Sequence, residues 1–188
     1  MRLTKSIAVL TSILAPSIGA AQFSYTAVEL SFVDVEIDAP SVDGDGFEIA
    51  GSFEINDSFF ALGAYQDQDF DFGIDGNSLQ LGVGYHTELG DDLDFVGTAS
   101  WVSAEVEAGG LSFDDDGLGI AGGIRAAVAD GFQVDAMLNW VDLDDSGSDT
   151  WIALTGRYYF NEQIAGFVRL GVGQDDADTL QLGARFEF

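Results

Sequence analysis

The sequence predicts an all-β fold, an antiparallel up-and-down transmembrane β-barrel of ten strands, with eight as the alternative count. Three observations point there. Apolar residues recur at every second position along almost the whole chain, and no helical period is present. Short connections alternate strictly with longer, acidic ones. The chain is also at once very acidic, with 33 Asp+Glu against 6 Lys+Arg and a net charge of -27, and rather apolar, at 47% hydrophobic. A membrane barrel reconciles those last two facts, since it needs an apolar outer face as well as polar surfaces.

The predicted strands are 23–37, 46–55, 59–73, 78–88, 93–106, 118–128, 132–142, 150–160, 164–174 and 179–188. The alternation is explicit in several. Leu79, Leu81, Val83 and Tyr85 interleave with Gln80, Gly82, Gly84 and His86. Phe132, Val134, Ala136, Leu138 and Trp140 interleave with Gln133, Asp135, Met137 and Asn139. Leu180, Leu182, Ala184, Phe186 and Phe188 close the chain on one face. Two strands slip in parity. Val28, Leu30 and Phe32 give way to Val33, Val35 and Ile37, and the set ending at Trp101 gives way to Val102, Ala104 and Val106. A β-bulge at each site is the expectation. The short connections are Asn56–Ser58, Leu89–Asp92, Ala129–Gly131 and Asn161–Gln163. The longer loops are Asp38–Asp45, the end of the third strand through Asn77, Glu107–Gly117, Asp142–Asp149 and Asp175–Asp178.

Residues 1–21 read as a cleaved signal peptide: Arg2 and Lys5, then the apolar run Ser6 to Ile18, then the small residues Gly19-Ala20-Ala21. Residues 22–188 form the single barrel domain. Without the signal the chain has no lysine and four arginines against 33 acids, so its formal charge is -29. That charge excludes nucleic acid as a partner, because phosphate contacts need cations. The absence of cysteine excludes disulfide frameworks, thiolate metal sites and cysteine nucleophiles.

The rival all-β reading is a secreted soluble barrel, lipocalin-like, with its apolar face inside. The aromatics favour the membrane. Tyr85, Phe95, Phe132, Tyr158, Phe160 and Phe186 fall on the apolar parity near short turns, and Trp101 and Trp140 near the longer loops. Two interfacial girdles have that layout. Segments such as Tyr25-Thr26-Ala27-Val28-Glu29, Gly51-Ser52-Phe53, Leu81–Thr87 and Gly183–Phe186 resemble the small bacterial outer-membrane barrels of the OmpA/OmpX-like, porin-like kind. The resemblance spans 22–188. It implies outer-membrane insertion through a C-terminal aromatic signal, matched here by Phe186 and Phe188. With it come the barrel-assembly machinery as a transient partner, lipid and lipopolysaccharide as surroundings, and a monomer. An even strand count places both termini in the periplasm and the acidic loops outside the cell.

All four arginines, Arg125, Arg157, Arg169 and Arg185, take the polar, lumen-facing parity near the short-turn ends. Glu29, Glu54, Glu88, Asp94 and Asp135 share that parity and region. Buried charges must be paired, so an arginine–carboxylate network across the lower lumen is expected, acting as a filling plug or, alternatively, as the constriction of a narrow cation-preferring pore. The upper half holds 21 acids and no base. Asp114, Asp115 and Asp116, with Asp142, Asp144 and Asp145, make weak Ca²⁺ or Mg²⁺ candidates. The segment from Asp142 imitates part of a calcium loop but has Ala153 where a bidentate Glu is needed. No cofactor is otherwise expected. The single histidine, His86, falls beside Glu88 and has no serine nearby, so no catalytic centre is expected. The reading is a structural or surface-interaction barrel with a filled lumen.

Overall fold

The computed structural model describes residues 23–38, 41–173 and 177–188. The expected signal peptide and the acids Asp175 and Asp176 lie outside the described residues. Ten strands are present: β1 (Ala27–Asp38), β2 (Ser41–Asn56), β3 (Phe59–Phe70), β4 (Ile74–Gly90), β5 (Leu93–Ala108), β6 (Leu111–Ala129), β7 (Phe132–Leu143), β8 (Gly147–Tyr159), β9 (Ile164–Gly173) and β10 (Ala177–Glu187). Each pairs antiparallel with its chain neighbours, and β1 pairs with β10 to close the barrel. Closure leaves no open sheet edge.

Side chains alternate between lumen and outer surface along the strands, except at shifts beside three of the short turns. On β1, Ala27, Glu29, Ser31, Val33 and Val35 are buried while Val28, Leu30, Phe32, Asp34 and Glu36 are exposed. The two expected bulges are therefore absent. Register runs unbroken through Phe32↔Phe47 and Val33↔Gly46 on β1, and through Trp101↔Leu118 and Val102↔Gly117 on β5. The parity slip has another cause. Above Phe32 and Trp101 the apolar residues face inward and the acids face out. The register shifts that do occur lie beside the short turns, at Glu54/Asn56, Glu88/Gly90 and Ala127/Ala129.

The expected long acidic loops are a second correction. Most of that sequence is strand. β5 and β6 pair as far as Ala108↔Leu111, joined only by Gly109 and Gly110, whose φ values of 61° and 82° are those a tight primed turn requires. β4, β5 and β6, at 17, 16 and 19 residues, exceed the roughly 9–11 residues that cross a bilayer. The ladders thus continue well past an apolar band.

That band ends at a consistent level. The outer face changes from Phe32 to Asp34 on β1, from Phe47 to Asp45 on β2, from Tyr65 to Asp67 on β3, from Trp101 to Ser103 and Glu105 on β5, and from Trp140 to Asp142 on β7. Beyond it, Asp34, Asp45, Asp69, Asp75 and Glu107 form one lateral row, each directly opposite the next. Below it, Leu30, Ile49, Leu81, Ile120, Leu138, Leu154 and Leu170 remain exposed on the outer face. A soluble barrel would present the opposite pattern.

Candidate functional site: a charged floor in the lower lumen

The end that holds residue 23 and Phe188 is termed lower. There the inward positions of β1, β2, β6, β7, β8, β9 and β10 carry charge. Arg169 Nη2 donates to Glu29 Oε2 at 2.8 Å, and Arg185 Nη1 donates to Glu29 Oε1 at 2.7 Å. Arg157 Nη2 lies 3.4 Å from the same Glu29 oxygen, and its Nη1 donates to Asp135. Arg125 Nε reaches Asp135 Oδ1 at 3.1 Å. Arg169 Nη1 also lies 3.2 Å from Glu48, and Arg185 Nε 2.7 Å from Glu187. Four guanidinium groups thus face four carboxylates. Glu29 serves three of the arginines, and Asp135 serves two. Neutral groups complete the floor: Gln181 and Thr155 accept from Arg169, and Tyr159 donates to Glu187 at 2.7 Å.

The segment before β1 enters this network from below. Phe23 and Tyr25 are buried in one cluster with Phe60 and Val96. The Tyr25 ring stacks on His86 at 3.9 Å and on Phe60 at 4.9 Å, and the Arg125 guanidinium sits 4.8 Å above it. Its hydroxyl donates to Asp94 at 2.8 Å. The Ser24 carbonyl accepts from Arg185 at 2.7 Å and from Arg125 at 3.4 Å. Residues 23–25 therefore form a short plug tied to the wall by main chain and side chain alike. Close packing needs glycine at one facing position, since a Cβ at Gly84 would collide with the Phe60 ring.

All four arginines, Glu29 and Asp135 come together. Glu54 and Glu88 do not: both line a separate cavity of about 680 Å³ at the lower mouth, with Asp57 and Asp91. Asp94 is opposite Arg125 in register but bonds Tyr25. His86 is 3.6 Å from Asp94, not paired with Glu88 as expected, and neither ring nitrogen has a hydrogen-bond partner among the described residues. Sequence reasoning missed Glu48 and Glu187, although both share the parity of the arginines. It also missed the plug, for which the aromatics Phe23 and Tyr25 beside a strand start were the available signal.

The acidic candidates separate. Asp114, Asp116 and Asp142 face outward. Asp115 instead accepts from the amides of Ser146 at 2.8 Å and Asp145 at 3.1 Å, holding the β7–β8 turn against β6. Hydrogen bonding from the Ser146 side chain first, and then from these amides, lowers its pKa. Among the described residues no three Asp, Glu or His side chains converge to hold a metal ion. The aromatics Tyr85, Phe95, Trp101, Phe132, Trp140, Tyr158 and Phe160 all take the outward parity. Phe186 packs edge-on against the terminal Phe188 at 4.9 Å.

No protein-family model matches the chain, and no curated protein matches it. Solved structures do. The translocator domain of the autotransporter NalP from Neisseria meningitidis has a TM-score of 0.54 at 9% identity, over 89% of this chain and 90% of that one. The NanC porin has a TM-score of 0.51 at 9% identity, over 86% and 100%. The N-terminal β-barrel domain of Pseudomonas aeruginosa OprF is 15% identical over 87% and 98%, with a TM-score of 0.48. At these identities the likeness is one of fold. What they define is the architecture: a closed, antiparallel, up-and-down β-barrel, here of ten strands.

Proposed function

We propose that this chain is a non-conducting outer-membrane barrel that holds an acidic collar at the cell surface, with a structural or surface-interaction role and no catalytic one. Both termini lie in the periplasm, and a signal peptide over 1–21 directs export. Phe186 and Phe188 form the insertion signal read by the assembly machinery. Tyr85, Phe95, Phe132, Tyr158 and Phe160 make the lower aromatic girdle, with Trp101 and Trp140 in the upper one. The barrel works as a monomer among lipid and lipopolysaccharide.

One observation carries the reading. Across the lower lumen four arginines are bonded to four carboxylates, and the Phe23–Tyr25 segment is pinned to two of those arginines, which supports a closed floor. An ion would have to displace a charge-assisted bond at every step. Against catalysis stands His86, the single histidine, stacked on the Tyr25 ring with no hydroxyl bonded to either nitrogen among the described residues.

Planar-bilayer recordings test the closure. The wild-type protein is expected to give no steady single-channel steps, and the Arg157→Ala variant to admit intermittent current. Steady cation-selective steps from the wild type would replace this reading with that of a narrow pore fed by the acidic collar.

A further inference from the structure

Above the charged floor the lumen is not filled. A cavity of about 570 Å³ lies there, bounded below by Arg125, Arg169 and Tyr25. Its upper wall includes Val33, Val102, Val141, Leu143 and Trp151, with small residues such as Ala64, Ala121 and Ala153 between them. The volume falls within the roughly 300–1,000 Å³ typical of small-molecule sites, and so does the plan of apolar walls with a few polar groups at one end.

We infer that this vestibule binds an organic cation with an apolar body, a substituted ammonium carried on an aromatic or branched aliphatic group. The inference rests on the closed floor, since an open floor would make the same space a passage. Three observations select the class. The collar around the mouth carries acids and no base, which raises the local concentration of cations and repels anions. The floor has no spare positive charge for an anion to use. Even Arg169, the most exposed of the four floor arginines at 23%, is already bonded to Glu29, Glu48 and Gln181. The walls offer a hydrated metal ion little to replace its waters, but they suit an apolar body. Trp151 supplies an indole for the ammonium, and Asp149 stands two residues further up β8 on the same inward parity.

The test uses the barrel reconstituted in lipid nanodiscs with Trp101→Phe and Trp140→Phe, leaving Trp151 as the single tryptophan reporter. Three probes of similar size are titrated: phenyltrimethylammonium, neutral tert-butylbenzene and the anion phenylacetate. A saturable change in Trp151 emission with the cation is expected. It should be at least about tenfold weaker with the neutral probe and absent with the anion, and the cation should bind more weakly as salt rises. Ala153→Phe fills the cavity and should abolish the response while the barrel keeps its heat-modifiable gel mobility. Ala121→Leu serves if that variant does not fold. No saturable response to the cation, an equal response to all three probes, or undiminished binding in a folded, filled variant would overturn the proposal. Conductance of the same preparation keeps the two readings apart. A silent membrane without binding sinks the vestibule alone, whereas steady current sinks the closed floor.

Discussion

The lower and upper halves of this barrel are built from the same ten strands, yet their polarity is inverted. Below the level of Phe32, Trp101 and Trp140 the outer face is apolar and the lumen holds the arginines. Above that level the outer face is acidic, and the lumen is lined by Val33, Val102, Val141 and Leu143. Nothing in the backbone changes at the boundary, because register runs straight through it. What changes is the surrounding solvent. Lipid accepts only apolar side chains on the outer face, so the lower half must place its charges inside and pair them. Water outside the upper half lets carboxylates face out, and the apolar residues then take the interior.

The comparison can be broken most sharply at Glu29. Glu29→Ala leaves three buried guanidinium groups short of their shared partner and should cost about 3–5 kcal/mol, read as a lower urea midpoint for loss of heat-modifiable mobility. Asp34→Ala, five residues further along β1 and facing out, should cost nothing measurable. Next in size is Tyr25→Ala, which removes a buried ring from the plug and should cost about 3 kcal/mol. It should also admit bilayer current that the wild type lacks.

Asp115→Ala should act only locally. Hydrogen exchange at the Asp145 and Ser146 amides should quicken several-fold, with global unfolding nearly unchanged. Because the bonds from Ser146 hold the Asp115 carboxyl below its ordinary value of 3.8, their contribution is present above that pH and is lost as pH falls through the lower folded value. Asp69 has the opposite sign. Its hydrogen bond with Asp75, then burial and neighbouring acids, raise its pKa above 3.8, so its stabilising share exists at low pH and disappears as pH rises through the raised value. Asp69→Asn should therefore raise the unfolding midpoint slightly at neutral pH. That gain should shrink in high salt and vanish in acid. If Asp69→Asn instead destabilises the barrel at neutral pH, the collar is held by something other than mutual repulsion.

The strand count, the closed antiparallel order and the inward placement of the arginines were legible because each follows from a period of two and from the solvent on either side of a sheet. Reading that period with one rule for the whole length produced the two expected bulges and the expected loops. Val33 on the inward face is what the period itself requires. The rule that failed was apolar-out, which holds only where lipid is outside. The carboxylate partners were less legible. Glu54 and Glu88 share the arginines' parity, yet strand tilt carries them to the lower mouth, while Glu48, six residues above Glu54, comes level with Arg169.

By itself, then, the sequence determined which face of each strand meets lipid, because alternation is a local property of the chain. Only the tertiary structure decided which carboxylate answers which arginine, and that residues 23–25 would be tied into that network. Those contacts join strands far apart in the chain, such as Glu29 and Arg169 at a separation of 140 residues. The stagger adopted on closure sets them, and no short-range pattern encodes it.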